Sequence, residues 1–174
     1  MKYFVKFFVV TFLVLICTHT NAEQKIVVLD LKYVLNKSKA GEGAQDFLKK
    51  TFNDNAKKFG EMEKDLKKEE TDLLAKKTIL SKEEYAKKSD SLRKKVIEYQ
   101  SERRSSLEKI GQQRAKSREI LLKKISPIID AYIKENNISL VIDKKDMLGG
   151  QPEVDITKII VERLNKELPS LNLN

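Results

Sequence analysis

The sequence contains a single cysteine, a single histidine and no tryptophan among its 174 residues. Cys17 and His19 both lie in the first twenty residues, in a segment that we expect to be removed. The rest of the chain then lacks a thiol nucleophile, an imidazole base, a Cys/His zinc site and a disulfide. These absences predict a protein that is not an enzyme, with no catalytic residue, no metal site and no cofactor.

Glycine and proline are also scarce, with six and three residues respectively. This is too little turn-forming chemistry for a many-stranded β-sandwich or barrel. Charged residues make up 35% of the chain and aromatic residues 7%, which is typical of long helices or of a coiled coil. The glycines form no phosphate-binding loop motif, so we expect the protein to work without nucleotide.

Residues 1–22 are predicted to be a cleaved signal peptide. Two lysines precede an apolar run over residues 7–17, which is shorter than the roughly 20 residues that a transmembrane helix needs. We expect cleavage after Ala22 and export to the periplasm. Two alternatives are an uncleaved anchor and lipid attachment at Cys17. The net charge is +9, but export argues against a nucleic-acid partner.

Short apolar runs near both ends of the remaining chain predict a small β structure. Residues 26–29 and 138–142 are candidate buried strands, and residues 147–148 are a candidate third strand. A short helix is predicted over residues 31–38, followed by a break at residues 40–43, where two glycines occur.

A long helix is predicted over residues 44–77, because mostly apolar side chains recur there in steps of four and three residues. The seam is formed by Leu48, Phe52, Asn55, Phe59, Met62, Leu66, Glu69 and Leu73. Ser81 and Glu84 then form a capping box, which predicts a second helix from Ser81 to about residue 136. The loop between the helices is short, so the two should be antiparallel neighbours.

The second helix has a thinner apolar seam, formed by Tyr85, Leu92, Val96, Tyr99, Ile110 and Ile120. Polar residues stand where apolar ones are expected, at Arg103, Ser106, Gln113 and Ser117. These gaps predict loose packing between the two helices, and Pro127 predicts a kink near their base.

A final helix is predicted over residues 156–168. Asp155 is placed to cap its first turn, and Leu168-Pro169 ends it. Ile159, Ile160 and Leu164 are expected to share the buried face of this helix.

The predicted fold class is α+β, mostly α, with a small β head and a long antiparallel helical hairpin. The head comprises residues 23–41 and 126–174, and the coiled-coil arm comprises residues 42–125. Two or three short strands cannot close a sheet alone, so we expect the head to oligomerise. The predicted oligomerisation core consists of Ile26, Val28, Leu140, Val141 and Ile142.

Residues 25–29, residues 138–143 and the Asp-Ile-Thr at 155–157, in this order around two long helices, resemble the Skp/OmpH family of periplasmic chaperones. The resemblance implies a homotrimer in which three hairpins enclose a cavity. It implies an ATP-independent holdase that binds unfolded outer-membrane β-barrel proteins. It also implies a contact with lipopolysaccharide, for which Arg93, Arg103 and Arg104 are the candidates on the second arm.

Residues 44–124 contain 23 Lys and Arg against 15 Asp and Glu, so the positive charge is concentrated in the arms. A cationic cage attracts anionic clients or an anionic membrane surface, and the same charge also keeps a surface soluble. Leu107 lies off the seam and is a candidate client contact, whereas Phe52, Phe59 and Met62 are expected between the arms.

Two other classes of function remain open at the level of the sequence. One is an exported coiled-coil tether of the cell envelope. The other is an enzyme that uses only carboxylates and lysines. Such an enzyme would need a pocket, and thin helical arms are not expected to offer one. Glu69 and Glu70 are not expected to act as an acid/base pair, because adjacent helical side chains point about 100° apart and do not converge.

Overall fold

A computed structural model describes residues 24–173 of the chain. Its elements are β1 (Lys25–Leu29), α1 (Leu31–Lys37), α2 (Lys39–Ala75), α3 (Lys82–Glu135), β2 (Ile138–Asp143) and α4 (Thr157–Glu167). Short 3-10 turns, Lys144–Asp146 and Pro152–Val154, connect β2 to α4. The mostly helical fold class with a small β region is confirmed, and the predicted signal peptide lies outside the described residues.

The helical hairpin is formed by α2 and α3, which contain 37 and 54 residues. At 1.5 Å per residue these helices are about 55 Å and 80 Å long. The predicted capping box starts α3: the Ser81 Oγ accepts from the Glu84 backbone N–H at 3.2 Å, and the Glu84 carboxylate accepts from the Ser81 backbone N–H at 3.1 Å. The helix continues through Pro127 to Glu135. Within residues 24–173, no helix is long and apolar enough to cross a bilayer.

The two strands lie side by side in parallel, although they come from opposite ends of the sequence. Ile26 is opposite Leu140 and Val28 is opposite Ile142. The prediction of a third strand at residues 147–148 is wrong. The Asp143 carboxylate accepts from the Lys145 backbone N–H at 3.1 Å and starts a 3-10 turn, which directs the chain away from the sheet.

The prediction of a break at residues 40–43 is also wrong, because α2 begins at Lys39 and continues through both glycines. The Ser38 Oγ caps this helix by accepting from the Gly41 backbone N–H at 3.2 Å. A Cβ at Gly41 would overlap the carbonyl oxygen of Leu35. The glycine therefore allows α1 and α2 to approach closely and does not end a helix.

The core of the head collects aliphatic side chains from α1, α4, the base of α3 and both strands. Its most deeply buried members are Val34, Ile125, Ile160 and Leu164. Ile159 is exposed, so its predicted place on the inward face of α4 is wrong. Asp155 is not the N-cap of this helix, contrary to the prediction, because that position is held by Ile156; the Asp155 Oδ1 instead accepts from the Thr157 backbone N–H at 2.9 Å, at the first residue of the helix.

Candidate functional site

The seam between α2 and α3 is closed by a few apolar side chains. Phe59 on α2 and Tyr99 on α3 are buried, and their rings pack edge to face with centroids 6.0 Å apart. Leu48 and Ile110 are buried nearer the head. Phe52, which was expected between the arms, lines a cleft between them but is left 50% exposed. The contact between the arms is thus a narrow line and not a broad core.

Both polar residues in the predicted seam of α2 have partners on α3. The Asn55 Nδ2 donates to the Ser106 Oγ at 2.6 Å. The Lys95 Nζ donates to both carboxylate oxygens of Glu69 at 2.7 Å. The polar positions of the α2 seam are therefore matched by polar groups on α3.

A chain of polar contacts also surrounds Tyr99. Its hydroxyl donates to the Glu63 Oε2 at 3.2 Å and accepts from the Arg103 guanidinium at 3.4 Å. Beside it, Lys58 pairs with Glu102 at 3.1 Å, and the Lys58 Nζ lies 5.2 Å from the centre of the Phe59 ring. The middle of the arm consequently combines one aromatic pair with a belt of exposed charges.

Beyond Tyr99 the two helices leave an open cleft of about 590 Å³ toward the tip. Its wall is largely apolar, with Lys67 and Arg93 among the charged residues that line it. The apolar lining residues are Leu66, Leu73, Leu74, Tyr85, Leu92 and Val96. A second cleft of about 280 Å³ lies nearer the head, between Phe52 and Leu107.

Several large apolar side chains project from the hairpin into solvent. Leu107 is half exposed, as predicted for a residue off the seam. Leu74, Ile79 and Ile97 are exposed as well, and the sequence analysis did not select them as contact residues. The usable signal was an apolar residue directly beside a seam residue, as Ile97 is beside Val96, because neighbours on a helix point in different directions.

The three candidate arginines do not line one common cleft. Arg93 lines the cleft toward the tip and pairs with Asp90 on the same helix at 2.9 Å. Arg103 and Arg104 line a different cleft of about 490 Å³ beside Tyr99 and Leu107. Ten residues of helix separate Arg93 from Arg103, which is about 15 Å along the axis.

The predicted oligomerisation residues divide into two groups. Val28 is 2% exposed and is therefore buried within the single chain, while Val141 and Ile142 are half-buried. Ile26 and Leu140 are 43% and 52% exposed, and they are neighbours across the strand pair. These two residues form an uncovered apolar patch on the head.

The loop edge of the head carries an ion pair between Lys144 and Asp155, with the Nζ 2.6 Å from Oδ2. Burial by itself would raise the pKa of Asp155, but hydrogen bonds from Lys144 and Thr157 outweigh it and hold this pKa below its ordinary value. The hydrogen bond to Asp155 likewise raises the pKa of Lys144. Among residues 24–173, no cluster of three or more His, Cys, Asp or Glu side chains is placed to hold a metal ion.

The fold and these surfaces define a class of protein: a small β head that carries a long, basic helical hairpin with open apolar clefts. The family model for "Outer membrane protein (OmpH-like)" matches residues 25–164, and the chain belongs to this family. The predicted family membership is thereby confirmed.

Two known proteins are similar over nearly the whole chain. A protein of Pseudomonas aeruginosa named "Skp-like protein" is 24% identical over 170 residues, which is 95% of this chain and 99% of the relative. A solved structure from Caulobacter crescentus CB15, described as an outer membrane chaperone (OmpH-like), has a TM-score of 0.79 and 18% identity. It covers 89% of this chain and 92% of its own.

Proposed function

We propose that this protein is an ATP-independent holdase chaperone of the periplasm, exported by a signal peptide that is cleaved after Ala22, and that it binds unfolded outer-membrane β-barrel proteins between its helical arms. The observation that carries the proposal is the hairpin itself, where open apolar clefts lie between two helices covered with positive charge. Such a surface suits diffuse, adaptable contact with an unfolded chain. The family, and the description of its solved relative, support this role.

Capture rests on charge first and apolar contact second. The excess of Lys and Arg on residues 44–124 attracts an acidic client at a distance that salt shortens to about 8 Å at physiological ionic strength. Exposed side chains such as Phe52, Ile97 and Leu107 then bury against the apolar positions of the client. Raising the salt concentration should therefore slow capture more than it speeds release.

The test is suppression of aggregation of a denatured outer-membrane barrel protein, without nucleotide, at low and at high salt. Replacing Arg93, Arg103 and Arg104 together by Ser should reproduce part of the loss seen at high salt. The matched control removes the same charge near the head, with Lys116, Lys123 and Lys124 changed to Ser. If the wild type does not suppress aggregation, or does so only with ATP, the holdase proposal fails and an envelope tether takes its place.

The same arginines are proposed to contact lipopolysaccharide or an anionic membrane surface. The support is their exposure on one long helix with few acidic partners, apart from the Arg93–Asp90 pair. Binding of the two triple variants to lipopolysaccharide and to zwitterionic lipid vesicles should separate specific from bulk charge effects. Equal loss of lipopolysaccharide binding in both variants would reject a dedicated site at these three residues.

The head is proposed to form a homotrimer through residues 25–30 and 138–148. The apolar patch of Ile26 and Leu140 supports this, because a two-stranded sheet leaves it facing water. Leu140→Asp should yield monomers, and Ile97→Asp on the arm is the matched control. Val28→Asp should unfold the head as well, because Val28 is already buried within one chain. Sedimentation gives the mass, and a folded wild-type monomer at micromolar concentration would overturn the trimer.

A further inference from the structure

Gln113, at the start of the second polar gap in the seam of α3, contacts residues from the C-terminal end of the sequence. We call residues 168–173 the C-terminal segment. Leu168 and Leu171 pack against the core of the head, and Leu173 is only 8% exposed. The carbonyl oxygen of Leu173 accepts from the Gln113 Nε2 at 2.7 Å.

This segment therefore crosses from the head onto the arm. Gln113 precedes the buried core residue Ile125 by twelve positions on α3, which is about 18 Å along the helix. Gln113 interrupts the apolar seam of α3, and its side chain donates a hydrogen bond to the backbone of the C-terminal segment.

The surface of α3 that contacts the C-terminal segment has features of a binding site for an extended chain. Burial alternates over the last three residues of the segment, with Leu171 half-buried, Asn172 exposed and Leu173 buried, whereas Pro169 and Ser170 are both exposed. In an extended chain, side chains two positions apart point to the same side, so Leu171 and Leu173 can meet the protein together. Proteins often recognise extended peptides through a hydrogen bond to the peptide main chain together with apolar contacts for every second side chain.

Only one of the two polar groups of the Gln113 side-chain amide is hydrogen-bonded. Its Nε2 binds the Leu173 carbonyl, whereas its buried Oε1 accepts from no group in the described part of the chain. A side-chain amide can bind a peptide carbonyl and a peptide N–H at the same time. An extended segment that offers both groups would satisfy this side chain fully, and buried acceptors favour such a partner.

We propose that the surface of α3 around Gln113 is a docking site for an extended segment with apolar side chains at alternate positions, and that the C-terminal segment occupies this site as an internal competitor. The external occupant is a strand of an unfolded membrane β-barrel, because such strands alternate apolar and polar residues. This inference rests on the proposed holdase function and assigns one client subsite to the base of the arm.

The experiment compares the full chain with a variant that ends at Leu168. The probe is a labelled twelve-residue peptide in which Leu and Val alternate with Ser and Asn. The control peptide has the same composition with its apolar residues in one block. If the C-terminal segment fills the site nine-tenths of the time, its removal should tighten binding of the alternating peptide about tenfold, as expected when a competing state is removed.

Two further variants keep the test decisive. Leu171→Ser with Leu173→Ser frees the site in a chain of unchanged length, and it should also tighten binding of the alternating peptide. Gln113→Leu in the shortened chain should return the affinity toward that of the wild type, while the block peptide should respond to none of these changes.

Equal binding of the alternating peptide to the wild type and to both freed variants would overturn the inference, as would equal gains for the two peptides. A loss of oligomer mass on removing residues 169–174 would assign the segment to a neighbouring copy and would likewise overturn the internal competitor. Failure of the wild type to suppress aggregation, with tighter peptide binding by the freed variants, would instead reject the holdase function and leave the site standing.

Discussion

The head and the arms of this molecule are held together in different ways. In the head, twelve buried residues from strands and helices far apart in sequence meet in one cluster. In the arms, two helices touch along a narrow line, with Leu48 and Phe59 buried on one side and Tyr99 and Ile110 on the other. The comparison indicates that stability is concentrated in the head, whereas the arms chiefly present surface.

Charge is used differently in the two regions as well. Ion pairs on the arms, such as Lys58–Glu102, are half exposed on both sides and contribute little to stability in water. They leave most of the arm's lysines and arginines available to a partner. In the head, the Lys144–Asp155 pair is tied to the start of α4 and to the bridge between Asp155 and β1.

The largest expected effect separates the two regions by unfolding energy. Ile160→Ala removes a fully buried side chain from the head and should lower the free energy of unfolding by about 2–5 kcal/mol. Ile97→Ala on the arm should change it by no more than about 0.5 kcal/mol, because that side chain is already exposed. Urea denaturation followed by circular dichroism measures both. Similar losses for the two variants would contradict a division of stability between head and arm.

A smaller effect is expected from the aromatic pair in the arm. Phe59→Ala should cost less than the roughly 3–5 kcal/mol typical of a phenylalanine in a full core, because the cleft beside it is open to water. The damage should stay local. Hydrogen exchange should rise in the arm near residues 52–66 and 95–106 and remain unchanged in α4, and a rise in α4 would show that arm and head unfold as one unit.

The hydrogen bond between Asn55 and Ser106 should matter next. Asn55→Ala should cost about 1 kcal/mol, since it removes a 2.6 Å bond and leaves the Ser106 hydroxyl half-buried without this donor. Ser106→Ala and the double variant complete a double-mutant cycle. The double variant should lose little more than either single variant, and simple addition of the two losses would argue against a functional pair.

The tip of the hairpin should respond to its cap alone. Ser81→Ala removes the hydroxyl that caps α3 and should destabilise the first turn by about 1 kcal/mol or less. Amide exchange should increase near residues 75–90 and nowhere else. Ser89→Ala, farther along the same helix, serves as the control. If it increases amide exchange as much as Ser81→Ala does, the effect does not come from the loss of the cap.

The smallest effect is a dependence of head stability on acid. The pKa of Asp155 is lower in the folded state than its ordinary value of 3.8, so the unfolded state binds this proton more tightly. The stabilisation is complete above that value and is lost as the pH falls through the lower pKa of the folded state. Asp155→Asn should reduce the dependence of the melting temperature on pH below about pH 4. If the slope there is unchanged, other carboxylates cause the loss of stability in acid.

Much of the hairpin was predictable because its signals are local. The steps of four and three residues across 44–77 and the capping box at Ser81 depend only on neighbours within two turns of helix. Strands at residues 26–29 and 138–142 were also predicted, because a short apolar run bounded by polar residues needs no distant information. These elements all appear in the structure within a few residues of their expected limits.

The candidate surfaces were predicted less completely. Leu107 was selected and is exposed, but Leu74 and Ile97 were not selected, although they are exposed as well. Val28 was grouped with Ile26 as an assembly residue, yet one is buried within the chain and the other is not. Both faces of a strand look alike in an apolar run, so periodicity alone does not tell which face is already covered.

The sequence by itself determined the class of this protein: a long, basic, amphipathic hairpin with a small β head. Only the tertiary structure decided what Gly41, Phe52 and Gln113 do. Gly41 admits a close helix contact, Phe52 is left in an open cleft, and Gln113 binds the end of the chain. Periodicity records which side of an element is apolar, whereas these roles depend on which distant segment arrives at that side, and that is settled by packing in three dimensions.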